Sequence, residues 1–167
     1  MPLYFAYGSN MDPAAMARRC PRAAAIAPAR LMRHRLALTR EGWLTAIHDP
    51  RAAVHGILWD LRLSDVPPLD RYEGVANGLY HKAIQAVTTR GGPKRALIYF
   101  GANPGPGVPS PGYIEGIVEA ARQWGLPEAA LGALQSFLPR SSAADAAPLS
   151  SPPRQVRPRF ATPFDRI

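Results

Sequence analysis

The spacing of apolar and polar residues along this chain alternates between two periods. Residues 3–7 form an apolar, aromatic-rich run of strand length. Gly8-Ser9-Asn10 interrupts it, and Asp12-Pro13 reads as a helix cap followed by proline at the first helical position. A short helix is expected over residues 13–19, ended by Pro21. Residues 31–39 alternate as a strand, with Leu36 and Leu38 on one face and Arg35 and Ala37 on the other. Residues 45–48 give a short strand and residues 54–61 a better one, in which Ile57 and Trp59 face together. Ser64 or Asp65 then caps a short helix that holds Pro67 early and runs towards Glu73. Over residues 80–89, Ala83, Gln85 and Val87 oppose Lys82, Ile84 and Ala86. The Gly91-Gly92 turn joins that run to residues 94–100 as a hairpin. Two helices follow, over residues 112–124 and 127–138, parted at Gly125. Strands with few, short helices between them, then helices, predict an α+β fold with a small, mostly antiparallel curled sheet.

The last stretch differs in kind. Residues 141–167 are rich in Ser, Ala and Pro and keep no period, so a flexible tail is expected beyond a domain of residues 1–140. Phe160 and Phe164 are the residues that would strap it back over the domain. A length of 167 residues suits that single domain, and 47% hydrophobic content suits a packed core. Charge adds one alternative: the net +8 includes seven arginines between Pro13 and Arg40 with no acid among them. Such a surface attracts polyanions without specificity. Yet every basic residue except Lys82 and Lys94 is arginine, which reads as a compositional habit, and no RNA-recognition or helix-turn-helix signature accompanies it. No specific nucleic-acid partner is expected.

Other classes are excluded by count. A lone cysteine, Cys20, rules out an intrachain disulfide, and His34, His48, His55 and His81 lack metal-ligand spacing, so neither metal nor cofactor is expected. No apolar run approaches the ~20 residues that span a bilayer, and the N-terminus carries no leader pattern. A cytoplasmic protein with no membrane partner is the expectation.

Candidate chemistry lies at two places. A strand that breaks at Gly8-Ser9-Asn10 and enters a helix within a few residues leaves main-chain N–H groups without intrachain partners, a place for a carboxylate or an oxyanion. By spacing alone this is equally a plain strand-to-helix turn. The second place is the run from Leu69 to Tyr80, where Glu73 stands between Tyr72 and Gly74.

Tyr7-Gly8-Ser9-Asn10 after an N-terminal strand, followed by Leu69-Asp70-x-x-Glu73-Gly74-Val75-x-x-Gly78-x-Tyr80, resembles the γ-glutamylcyclotransferase family. The resemblance extends to Pro109-Ser110-Pro111-Gly112-Tyr113 and Gly125-Leu126-Pro127 and covers roughly residues 2–138. The tail has no counterpart in it. It implies a curled sheet or barrel with short helices at its rim, and a small-molecule γ-glutamyl substrate whose α-amine attacks its own γ-amide carbonyl. The lactam 5-oxoproline forms, and an amino acid or amine leaves.

The resemblance implies roles for particular residues. Glu73 would be the acid/base that takes a proton from the substrate ammonium and hands one to the leaving nitrogen, for which burial must raise its pKa. Tyr7, Gly8, Ser9 and Asn10 would form the γ-glutamyl pocket, Gly8 letting the main chain come close, and Tyr113 would place its hydroxyl on the substrate. Tyr4 is a further candidate for substrate binding; core or wall packing accounts equally for Tyr4 and Tyr99, and Tyr80 reads as structural. Ser9 is a donor and no nucleophile, since no Gly-x-Ser-x-Gly elbow surrounds it. Residues 102–107 are expected to line the leaving-group side. A γ-glutamylamine cyclotransferase, removal of a γ-glutamyl protecting group, and a non-catalytic module binding a γ-glutamyl or anionic ligand would all use the same site. Glutathione is disfavoured, because the family branch devoted to it carries a different residue after Tyr-Gly-Ser.

Overall fold

The computed structural model describes residues 1–139; the expected tail over residues 141–167 lies outside them. Five strands close into a barrel in the order β1-β3-β2-β4-β5. They are β1 (Leu3–Ala6), β2 (Ala24–Leu38), β3 (Leu44–Asp60), β4 (Tyr80–Thr89) and β5 (Gly92–Gly101). Neighbours run antiparallel except β1 and β5, which meet in parallel at Tyr4↔Leu97. Four short helices surround the barrel: α1 (Pro13–Arg19), α2 (Val66–Tyr72), α3 (Tyr113–Gln123) and α4 (Glu128–Gln135). This is the α+β architecture that the periods predict.

Strand alternation sorts the core into two parts. Phe5, Leu58, Val54, Leu31, Val87 and Ile98 point into the barrel, where they pack together. Tyr4, Ala6, Ile57, Trp59 and Leu61 point the other way and meet Ile114, Ile117, Ala121, Leu131 and Leu134 from the final helices. The expected pairing of Ile57 with Trp59 on one face is therefore found, and Leu58 between them is also fully buried because β3 is covered on both sides.

Four expectations about element limits are corrected. The two short strands over residues 45–48 and 54–61 are one strand, β3. Its pairing with β2 passes from Met32↔Ala53 directly to His34↔His48, so Arg33 alone faces residues 49–52. Such a bulge shifts the side-chain phase and hides continuity from a period-2 reading. Arg33 takes a left-handed φ of 61° to accommodate it. Strand β2 begins at Ala24, well before residue 31, because alanines and Pro28 carry no strand signal. Proline is tolerated there: β2 meets β4 in register only at Arg30↔Thr88. Strand β1 stops at Ala6, and the last helix ends at Gln135 with turns to Leu138.

The hairpin tip beyond the bulge matters for the site, since it carries Trp43 and Leu44. Gly42 turns that tip at φ 86°, and a Cβ there would stand 2.1 Å from the Val108 carbonyl oxygen. Arg40 N–H donates to Asn103 and Gly105 N–H to Leu38, so the loop at residues 102–108 is fastened behind the tip.

Candidate active site

A cavity of about 240 Å³ opens at one end of the barrel, lined by Tyr4, Phe5, Tyr7, Gly8, Ser9, Asn10, Trp43, Leu44, Tyr72, Glu73, Tyr80, Tyr99 and Tyr113. All seven site residues named from the sequence lie on it. The floor comes from β1 and the turn that follows. Met11 N–H donates to Gly8 and Asp12 N–H to Ser9, folding residues 9–11 into a single 3-10 turn. Among the described residues the N–H groups of Gly8, Ser9 and Asn10 find no acceptor. The α1 N-terminus itself is not free, because the Asp12 carboxylate accepts from Ala14 and Ala15. The donors left over are those of the turn, one step before the helix. Gly8 has φ −121°, and the nearest atom to a Cβ placed there would be the Tyr113 hydroxyl at 4.0 Å. A side chain at this position would take room from the cavity rather than clash with the protein.

Glu73 ends α2, where its own N–H closes the last turn onto Leu69 and Gly74 leaves in the left-handed region at φ 65°. The wall it reaches is 63 residues away in sequence. Asn10, buried, donates from Nδ2 to Glu73 Oε1 at 3.0 Å and to the Tyr4 hydroxyl at 2.9 Å. Burial pushes the Glu73 carboxyl up to about 7; the Arg19 charge and the Asn10 hydrogen bond oppose that rise without cancelling it.

The tyrosines divide by what their hydroxyls do. Tyr7 donates to the Tyr99 carbonyl at 2.6 Å and Tyr80 to the Leu44 carbonyl at 2.7 Å, so both brace the walls. Tyr99 donates to Asp70, which Lys82 also holds, tying α2 to β4 and β5. Tyr113 is different: its oxygen accepts from Leu44 N–H at 3.1 Å, which leaves its own proton to give. Burial pushes that phenol up to about 12, so it stays a neutral donor.

Two lining or bracing residues, Arg19 and Trp43, carry no site signal in the sequence, whereas Tyr72 is expected there, with Leu69 and Val75, as an apolar neighbour that dries Glu73. Tyr72 stands 45% exposed, its hydroxyl 2.8 Å from Ser9 Oγ. Arg19 lies with its guanidinium over the Tyr72 ring and donates to Asn10 Oδ1. Trp43, 38% exposed, forms the outer wall together with Leu44. The leaving-group side expected from residues 102–107 is corrected here: that loop lies behind the hairpin tip, and the tip itself meets the cavity.

A carboxyl raised by burial, main-chain donors without acceptors among the described residues and a phenol lie around one hollow, the arrangement of a candidate enzyme site. Comparison with known proteins gives the chain a family. Residues 53–134 match the model of the AIG2-like family. Gamma-glutamylcyclotransferase from Homo sapiens is 33% identical over 136 residues, spanning 75% of this chain and 72% of the relative. The Mus musculus protein of the same name is 33% identical over 137 residues. A solved gamma-glutamyl cyclotransferase structure superposes with a TM-score of 0.77 at 30% identity, over 84% of this chain and 90% of that one. YkqA from Bacillus subtilis, at 22% identity and a TM-score of 0.70, shares the fold. The chain belongs to the γ-glutamylcyclotransferase family, and it is an enzyme of that family. Among the described residues no helix is long and apolar enough to cross a membrane.

Proposed function

We propose that this enzyme cyclises γ-glutamyl compounds, releasing 5-oxoproline and the group carried on the γ-amide, with Glu73 as the acid/base. The observation that carries the reading is the Glu73 carboxyl, held by Asn10 at the edge of the cavity and raised to about 7. Near neutrality such a group is present in both protonation states, so it can take a proton from the substrate ammonium and return one to the departing nitrogen. Attack and leaving group belong to one molecule, and a cavity that holds the glutamyl chain bent supplies the effective molarity, on the order of 10⁵ M or more in well-oriented systems. The N–H groups of Gly8, Ser9 and Asn10, without acceptors among the described residues, would receive the α-carboxylate or the charge that grows on the attacked carbonyl, and the Tyr113 hydroxyl has a proton to add.

One observation favours an amine over an amino acid as leaving group. Among the described residues the lining contributes a single carboxylate and no Lys, Arg or His, so nothing described on the wall pairs with a second carboxylate. Trp43 at the mouth offers an apolar face instead. The test is 5-oxoproline release from γ-glutamyl-alanine and from a γ-glutamylamine, measured side by side. Release from at least one is expected, with the higher kcat/KM for the amine. Binding of both without turnover would leave a binding module in place of an enzyme of this reaction.

A pH dependence follows. The unprotonated carboxylate starts the reaction, so kcat/KM should rise with pH through a limb near 7, set by Glu73, well above the ordinary carboxylate range. An acid limb near 4.5 would mean that an unperturbed carboxylate, or none, is the base.

A further inference from the structure

Arg19 stands in the last turn of α1, within a stretch of arginines that composition alone explains. Its surroundings are not those of a solvated surface charge. The guanidinium lies 3.5 Å from the centre of the Tyr72 ring, and Nη1 donates to Asn10 Oδ1. Arginine can only donate hydrogen bonds. It therefore decides which way the buried Asn10 amide faces: once Oδ1 is taken, Nδ2 must lie on the other side, where its two N–H groups reach Glu73 and Tyr4. The reverse orientation would set a carbonyl oxygen against the Glu73 carboxylate. Arg19 makes no ion pair with Glu73 within 4.0 Å among the described residues; the two ion pairs there are Arg35–Asp49 and Lys82–Asp70. Its reach to the acid passes through Asn10 on one side and through Tyr72, the residue before Glu73, on the other.

We propose that Arg19 is a positioning residue for the reaction, fixing the Asn10 amide and the end of α2 so that Glu73 is held at the cavity in its working orientation. The proposal rests on Glu73 being the acid/base. Groups facing Glu73 from the other elements are phenols, Tyr4 and Tyr7 from the β1 end, Tyr80 from β4, Tyr99 from β5 and Tyr113 from α3, all raised by burial and neutral. On α2, Asp70 is occupied by Lys82 and Tyr99. Arg19 is the charged neighbour that counters burial at Glu73, so its removal also raises the carboxyl further.

The experiment is a double-mutant cycle with Arg19→Met, Asn10→Ala and the pair, plus Arg19→Lys. It is read as 5-oxoproline release from the better of the two substrates above across pH, with thermal melts of each protein. Arg19→Met is expected to lower kcat about tenfold or more, the scale of a lost charge-assisted hydrogen bond, and to move the acid limb of kcat/KM to higher pH. Arg19→Lys should recover part of both, since charge returns without the planar fork and stack. In the Asn10→Ala background, removing Arg19 should cost far less than in the native enzyme. Wild-type kcat and an unmoved limb in Arg19→Met, with a changed melting temperature only, would overturn the proposal, as would full multiplication of the two losses. If Arg19→Met does not fold, wild-type kcat in Arg19→Lys would overturn it equally. Substantial turnover by Glu73→Gln removes the acid/base reading and this proposal with it; an inactive Glu73→Gln beside a normal Arg19→Met removes the Arg19 role alone.

Discussion

Glu73→Gln is expected to lower kcat by about 10² to 10⁴-fold, the range that a positioned acid–base group contributes, in a protein that remains folded. The substitution keeps size and an oxygen to accept from Asn10, so the hydrogen bond at that wall can persist. What disappears is the ability to exchange a proton near neutrality. The stability side has a definite sign. The folded state raises the Glu73 pKa from 4.5 to about 7, so folding favours the protonated form. That contribution is complete below about pH 4.5 and is lost as pH rises through 7. Glutamine never bears the charge, so the melting temperature of the variant at pH 8 should equal or exceed that of the native enzyme, with the gap closing at pH 5. Steady-state rates and thermal melts at both pH values check the two halves together. A variant within tenfold of native kcat would remove Glu73 from the chemistry, whatever its melting behaviour.

How much of this was legible in the sequence depends on whether the signal was local. The turn after β1 and the acid at the end of α2 each sit in a stretch whose residue types announce a break in the chain, so Gly8, Ser9, Asn10 and Glu73 could be named. That Asn10 donates to Glu73 could not, because a contact across 63 residues leaves no trace in spacing. Arg19 is hidden differently: among other arginines it reads as a solvated charge, and its place over the Tyr72 ring and its hydrogen bond to Asn10 separate it from Arg18 and Arg22. Trp43 has no motif at all; it sits at the tip of the β2–β3 hairpin, beyond a bulge at Arg33 that is itself unreadable from alternation. The same bulge is why β3 read as two strands. Where alternation was unbroken, as along β4, the face assignment agreed with burial: Val87 is inside, while Ile84 on the other face is 60% exposed.

Leu58→Ala should produce the opposite pairing of effects, a large loss of stability with the chemistry kept. Leu58 is fully buried inside the barrel and stands opposite Phe5 in the β1–β3 register. Truncation removes the apolar contacts of a whole side chain and leaves a hole that a closed barrel cannot easily collapse, since each neighbouring strand is held by hydrogen bonds on both edges. Changes of this kind cost about 2–5 kcal/mol, which for a domain of this size lowers the melting temperature on the order of 10 °C. Leu58 is absent from the cavity wall, so kcat of the folded variant, measured well below its melting point, should stay within a few-fold of native. Ile84→Ala supplies the comparison: the same loss of aliphatic carbon, on the outer face of β4, should shift stability by no more than about 0.5 kcal/mol. If Leu58→Ala melted like Ile84→Ala, the barrel interior would not be the core described. If instead its kcat fell as far as that of Glu73→Gln, packing inside the barrel and placement of the residue 7–10 turn would be one property, because β1 is only four residues long and leads directly into that turn.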